Sequence, residues 1–131
     1  MLTFNEYEKT VVENAIYHAS IQTYIDSLDI PDESKRKHLH KLLSTLYCTL
    51  GLIGEAGEIA EKMKKIIRDK SCVISEEDRV LLIKEDGDVV WYTGAIAGEL
   101  DVTLERVAQT NIDKLLSRKQ RGVISGSGDN R

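Results

Sequence analysis

The chain has 131 residues, a length that fits one domain with its own hydrophobic core. Hydrophobic residues make up 41% and charged residues 31% of the chain, which indicates a folded, soluble protein rather than a disordered one. The net charge of −4 argues against a surface that binds nucleic-acid polymers. We expect no signal peptide, because no basic region precedes an apolar run at residues 1–6, and no apolar run approaches the roughly 20 residues of a membrane span. The two cysteines fit a reducing cytoplasm.

The first helix is predicted to begin at Thr3, because Thr3 and Glu6 have the spacing of a capping box. Apolar residues then recur at helical spacing, so this helix is expected to run to about Ser20 or Asp26. Residues 27–37 contain the only proline and many charges, and they are predicted to form a connection.

The second predicted helix runs from about Lys37 to Asp69 and is apolar on two sides. One broad face carries Leu39, Leu42, Leu43, Leu46, Leu50, Ile53, Ala60 and Ile67. The other face carries Leu52, Ile59, Met63 and Ile66. A helix with this pattern is predicted to lie at the centre of a bundle or at a subunit interface.

An acidic pair, Glu55 and Glu58, lies between the two apolar faces of this helix. The two residues are three apart, so both carboxylates project from one side. Several small residues surround them, namely Gly51, Gly54, Ala56 and Gly57. Since a glycine inside a helix costs about 1 kcal/mol relative to alanine, this clustering indicates either close helix packing or the approach of a ligand.

The third helix is predicted to begin at Ser75, with Asp78 in the third position, and to end near Leu100. One ridge of this helix carries a second acidic pair followed by a tyrosine, in the order Glu85, Asp88, Tyr92, Ala95 and Glu99. The ridge therefore presents two carboxylates and an aromatic hydroxyl on the same side.

Thr103 is predicted to cap a fourth helix whose core face carries Leu104, Val107, Ala108, Ile112 and Leu115. Asn111 falls near the middle of this apolar face, with Arg118 on the same ridge and Lys114 at its edge. A buried amide must find a hydrogen-bond partner, so Asn111 is either a structural residue or a ligand contact.

These elements predict an all-α fold, an antiparallel bundle of four to five helices. Two acidic pairs that face each other offer oxygen ligands for a hard cation, so we expect Mg²⁺, with Mn²⁺ as a substitute. A di-iron site would require Glu-x-x-His motifs, which the chain lacks. The structural alternative is that all four acids are ordinary solvated side chains.

Three motifs resemble those of the all-α nucleoside triphosphate pyrophosphohydrolases of the MazG-like superfamily. They are Gly54-Glu55-Ala56-Gly57-Glu58, Glu85-x-x-Asp88 and Asn111-x-x-Lys114-x-x-x-Arg118. The resemblance runs from about Leu50 to Arg121, and the chain is similar to small single-domain members. We expect residues 1–121 to form one helical domain and residues 122–131 to form a tail rich in glycine and serine.

The resemblance implies Mg²⁺-dependent hydrolysis of a (d)NTP between the α- and β-phosphates, which gives a monophosphate and pyrophosphate and cleanses the nucleotide pool. It also implies a homodimer or homotetramer. The catalytic metal ligands would be Glu55, Glu58, Glu85 and Asp88. The residues that bind substrate would be Asn111, Lys114, Tyr92 and Arg118.

Several alternatives stay open in this interpretation. The substrate could instead be phosphoribosyl-ATP, or the chain could be a helical module that binds nucleotide or a partner without catalysis. Some relatives place an acid directly before the first motif glutamate, where this chain has Gly54, so the general base is a ligand carboxylate, Glu61 or none. The tail either is flexible or closes over a phosphate with Arg131. Base recognition has the unranked candidates Tyr17, His18, Tyr24, His38, His40 and Tyr47.

Overall fold

The computed structural model describes residues 1–123, which form five α-helices and no strand. The helices are α1 (Phe4–Glu13), α2 (Tyr17–Asp26), α3 (Glu33–Asp69), α4 (Glu76–Glu99) and α5 (Leu104–Gln120). Helices α3 and α4 form the main pair and run antiparallel, because only a short loop joins them. Helix α2 packs on α3, and α1 packs on α4. The expected all-α bundle is confirmed.

The first predicted helix is divided into α1 and α2. The capping box is confirmed: the Thr3 hydroxyl accepts a hydrogen bond from the Glu6 backbone N–H, and the Glu6 carboxylate accepts one from the Thr3 N–H at 2.8 Å. Helix α1 ends before Asn14, whose side-chain amide donates to a backbone carbonyl one turn earlier at 2.8 Å. Asparagine side chains compete with the helical backbone in this way, and the prediction of one continuous helix is therefore wrong.

Helix α3 has 37 residues and, at 1.5 Å per residue, is about 55 Å long. It begins four residues before the predicted start at Lys37, because the Asp32 carboxylate accepts hydrogen bonds from the backbone N–H groups of Ser34 and Lys35. Its end at Asp69 agrees with the prediction.

A small core lies where α1, α2 and α4 meet α3. It consists of Val11, Tyr17, Cys48 and Ala95. The Tyr17 hydroxyl donates to the Glu99 carboxylate at 2.7 Å, and His18 Nε2 lies 3.2 Å from the same carboxylate. These contacts tie α2 to the C-terminal end of α4.

One of the two predicted apolar faces of α3 is exposed in the single chain. We call it the outer face of α3, and its members Leu42, Leu46, Leu50, Ile53 and Ile67 are between 49% and 64% exposed. The opposite side of the helix contains the buried residues Ser44, Cys48 and Ile66. Helix α3 is therefore apolar on two sides, as predicted, and one of these sides is in contact with solvent in the single chain.

Helix α5 packs on α1 and α4 but makes no packing contact with α3 within residues 1–123. Its N-terminus is capped by Thr103, as predicted, and Glu8 on α1 accepts a hydrogen bond from the Leu104 backbone N–H. Leu104 is buried, whereas the later members of the predicted core face, Val107, Ile112 and Leu115, are exposed. Asn111 is also exposed, so the prediction that it lies within a core face is wrong for the single chain.

The end of α5 at Gln120 lies next to the predicted domain boundary at residue 121. Most of the predicted tail, including the suggested role of Arg131, falls on residues 124–131, which lie outside the described residues. None of the five helices is both long enough and apolar enough to cross a membrane.

The start of α4 confirms the predicted cap at Ser75 and Asp78. The Ser75 hydroxyl accepts a hydrogen bond from the Asp78 backbone N–H, and the Asp78 carboxylate accepts one from the Ser75 N–H at 3.1 Å. Lys70 Nζ also donates to Asp78 at 2.6 Å. The hydrogen bonds from Lys70 and Ser75 lower the pKa of Asp78 to about 2. This carboxylate thus joins the end of α3 to the start of α4.

We expect Asp78→Asn to lower the free energy of unfolding at neutral pH, because the folded state favours the ionised carboxylate. The contribution is present above the unfolded pKa of about 3.9 and is lost as the pH falls toward the folded value of about 2. Urea unfolding should therefore show that the difference in the free energy of unfolding between the wild type and Asp78→Asn decreases below about pH 4. Glu77→Gln, in the same helical turn but exposed, is the control and should change little. A difference independent of pH would contradict this assignment.

Candidate metal and substrate site

Three carboxylates from two helices meet on the α3–α4 pair. Glu55, Glu85 and Asp88 each place one oxygen within 4.8 Å of the other two, and we call these residues the acidic cluster. Glu55 and Glu85 are half-buried, whereas Asp88 is exposed. No other group of three or more His, Cys, Asp or Glu residues converges in this way within residues 1–123.

Helical geometry explains why these residues meet. Glu85 and Asp88 are three apart on α4, so their side chains leave the helix on the same side. Glu55 approaches from the facing side of α3. Glu58, the fourth predicted ligand, is 61% exposed and is not part of the acidic cluster. The structure therefore brings three of the four acids together, and the role of Glu58 stays a prediction.

The carboxylates of the acidic cluster repel one another. Burial raises the pKa of Glu55, and the negative charges of Asp88, Glu85 and Glu58 raise it further. Carboxylates at this separation disfavour one another's ionised form, and a bound cation relieves that cost. The charge distribution of the site therefore favours a cation.

Lys62 is the site residue that the sequence analysis missed. Its Nζ atom lies 2.9 Å from Glu85 Oε1 and 3.8 Å from Glu58 Oε2. The hydrogen bond to Glu85 raises the pKa of Lys62, so the ammonium stays charged at neutral pH. Lys62 lies seven residues after Glu55 and therefore on the same side of α3, and this spacing could have predicted that it lies near the acidic cluster.

Tyr92 packs across α3 beside the acidic cluster. A Cβ atom added to Gly51 would lie 2.2 Å from the Tyr92 ring, so the absence of a side chain at Gly51 allows this close approach. Burial raises the pKa of Tyr92, which keeps its phenol protonated. Added Cβ atoms at Gly54 and Gly57 would meet no atom within 4 Å. Close packing thus accounts for Gly51 but not for the other two glycines.

The three predicted substrate contacts on α5 lie on a helix that does not pack on α3. Asn111 and Lys114 are exposed, and Arg118 is buried. Helix α5 packs on α1 and on α4, the helix that carries Glu85 and Asp88. The assignment of Asn111, Lys114 and Arg118 as substrate contacts stays a prediction.

The aromatic candidates for base recognition fall into two groups. Tyr17 and His18 contact Glu99, and the His18 ring stacks on His40 with 5.3 Å between centroids. Tyr47 stacks on Tyr17 at 4.8 Å and extends the aromatic contacts toward Tyr92. The remaining candidates, Tyr24 and His38, are exposed.

The donor set of the acidic cluster fits a hard divalent cation. Mg²⁺ binds oxygen ligands at about 2.1 Å, so two ligands of one ion lie at most about 4.2 Å apart. Small side-chain rotations would bring the three carboxylates, now within 4.8 Å, to that spacing. All three donors are carboxylate oxygens, which suits Mg²⁺ or Mn²⁺ better than a softer metal.

Comparison with known proteins agrees with the all-α fold. The MazG nucleotide pyrophosphohydrolase domain matches residues 44–123, which include the acidic cluster and α5. The chain is also 61% identical over 85 residues to the Gene 37 protein of Mycobacterium phage L5, covering 65% of this chain and 75% of that protein. No solved structure matches the chain significantly. The chain therefore belongs to the MazG nucleotide pyrophosphohydrolase family.

We expect Gly51→Ala to destabilise the protein, because the new methyl group would overlap the Tyr92 ring. Overpacking costs about 1–3 kcal/mol and replacing a helical glycine gains about 1 kcal/mol, so the net destabilisation is up to about 2 kcal/mol. Gly98→Ala is the matched control, since its methyl group would meet no atom within 4 Å. Thermal unfolding should show a lower midpoint for Gly51→Ala and an equal or higher one for Gly98→Ala. Equal midpoints for Gly51→Ala and the wild type would show that the ring moves aside freely.

Proposed function

We propose that this protein is a cytoplasmic, Mg²⁺-dependent pyrophosphohydrolase that cleaves a (d)NTP between the α- and β-phosphates. The observation that carries the proposal is the convergence of Glu55, Glu85 and Asp88 on the α3–α4 pair. These residues lie within the segment that matches the MazG domain. A partly buried set of three like charges is electrostatically unfavourable unless cations neutralise it, and a triphosphate substrate brings Mg²⁺ with it.

In this proposal the acidic cluster, together with Glu58, holds the metal. The bound metal would supply an activated water and stabilise negative charge on the phosphoryl group. Asn111, Lys114 and Arg118 are proposed to contact the phosphates or sugar once α5 or a second subunit brings them near. Tyr92 borders the same space and is proposed to pack against the sugar or base.

The contacts of Glu61 make it a weak candidate for the general base. Its carboxylate pairs with Lys64 and with Lys65 at 3.3 Å, and these hydrogen bonds lower the pKa of Glu61. A carboxylate with a lowered pKa accepts protons poorly near neutral pH. We therefore favour a base within the metal-ligand set, or none, over Glu61.

The reaction is tested by incubating the purified protein with Mg²⁺ and a panel of canonical and modified (d)NTPs. The proposal expects a nucleoside monophosphate and pyrophosphate in equal amounts. A diphosphate with inorganic phosphate would indicate cleavage at a different bond. Phosphoribosyl-ATP belongs in the panel, and exclusive turnover of that compound would select the alternative substrate. No turnover of any compound, with Mg²⁺ bound, would favour a non-catalytic module.

We expect Asp88→Asn to reduce kcat by at least about 100-fold, the loss typical of removing one group that stabilises a charged transition state. Asp86→Asn is the matched control, because it removes the same charge two residues away and Asp86 is not part of the acidic cluster. The measurement is pyrophosphate release, with circular dichroism to establish that both variants are folded. Equal activity of the two variants would remove Asp88 from the site.

We also propose that the protein works as a homodimer or homotetramer through the outer face of α3. Leu50 and Ile53 at its centre are both 61% exposed, and their neighbours along the helix are also apolar. Contiguous exposed apolar surface of this kind is typical of subunit interfaces. Gly54 and Gly57, which have open space around them, would let a second backbone approach closely.

Light scattering at micromolar concentration should give two or four times the mass of the chain. Leu50→Glu should shift the protein to a monomer, because a buried unpaired carboxylate at an apolar interface is strongly unfavourable. Val73→Glu makes the same change at a residue that is 65% exposed in the α3–α4 loop, and it should leave the assembly intact. A monomeric wild type, or a Leu50→Glu oligomer, would contradict the proposed interface.

A further inference from the structure

We infer that Lys62 is a built-in competitor of the metal ion: its ammonium occupies the acidic cluster's cation position when no metal is bound, and it sets the affinity for the divalent cation. The inference rests on the proposed function only in that both require a divalent cation at these carboxylates. It concerns a residue outside the predicted ligand set.

The contacts of Lys62 distinguish it from the lysines that follow it on α3. Its Nζ atom crosses to α4 and lies 2.9 Å from Oε1 of Glu85, a residue of the acidic cluster. It also lies 3.8 Å from Glu58, so it bridges carboxylates of both helices. Lys64 and Lys65 pair only with Glu61, among the described contacts, on the solvent side of α3.

Burial supports the same distinction. The Lys62 side chain is 25% exposed and Glu85 is 18% exposed, whereas Lys64 and Lys65 are 60% and 56% exposed. An ion pair between partly buried groups is less screened by salt than a surface pair. Lys62 therefore holds its position against a real desolvation cost, which the nearby negative charges offset.

The competition follows from the shared Glu85 carboxylate. The Glu85 carboxylate attracts a metal ion less strongly while it accepts a hydrogen bond from the Lys62 ammonium, because the ammonium neutralises part of its negative charge. An ammonium near a divalent cation is also repelled by it. A metal ion at these carboxylates therefore competes with Lys62 for the same negative charge, and the long lysine side chain allows the ammonium to move away.

The test compares Lys62→Met with the wild type, without nucleotide. In EDTA, Lys62→Met should unfold at a lower temperature, because the carboxylates lose their counter-ion. Calorimetric titration with Mg²⁺ should show binding about tenfold tighter than in the wild type, because the repulsion between two cations is removed. Lys65→Met, which removes an exposed ammonium from the same helix, should leave both values unchanged.

Lys62→Arg changes the shape of the side chain and keeps its charge. It can also be measured if Lys62→Met does not fold in EDTA. It keeps the positive charge, so its Mg²⁺ affinity should stay within about twofold of the wild type. Raising the ionic strength should narrow the difference between Lys62→Met and the wild type. Unchanged or weaker Mg²⁺ binding by Lys62→Met would overturn the inference. Binding by Lys62→Arg that is as tight as binding by Lys62→Met would also overturn it.

The two proposals fail in different ways. Tighter Mg²⁺ binding by Lys62→Met without turnover of any nucleotide would contradict the proposed function and retain the inference. Turnover by the wild type with no gain in metal affinity for Lys62→Met would contradict the inference alone. Absence of Mg²⁺ binding in both proteins would overturn both.

Discussion

The close packing of α4 against α3 is the constraint on which the rest of the structure depends. Gly51 lets the Tyr92 ring lie against the α3 backbone, and this contact fixes how near the two helices come. With the helices at that distance, Glu55 on one faces Glu85 and Asp88 on the other. A fold that held these helices further apart would lack the acidic cluster.

The ends of the α3–α4 pair are held by a different kind of contact. At one end, Lys70 and Ser75 bind the Asp78 carboxylate across the interhelical loop. At the other end, Tyr17 and His18 bring α2 onto Glu99. Charged and hydroxyl groups thus secure both ends of a pair whose middle carries unfavourable negative charge. This distribution separates the residues that hold the helices together from those available for chemistry.

The sequence predicted those features that depend on spacing within one helix. The caps at Thr3, Ser75 and Thr103 follow from local hydrogen-bond chemistry, and the acidic pairs follow from helical periodicity. It did not predict the break at Asn14, because the apolar spacing continues through it. The contact of Lys62 with Glu85 depends on the register between two helices, and the position of α5 depends on Glu8 from α1. Neither is encoded in a local pattern.

If association covers the outer face of α3, as proposed, the fraction of folded protein depends on the protein concentration. A chain that leaves such a face in water gains stability whenever association covers it, and mass action makes that gain grow with the number of chains. At low abundance a larger fraction of chains would be open to proteolysis, whereas at high abundance assembly protects them. The amount of folded protein would then rise more steeply than in proportion to the rate of its synthesis.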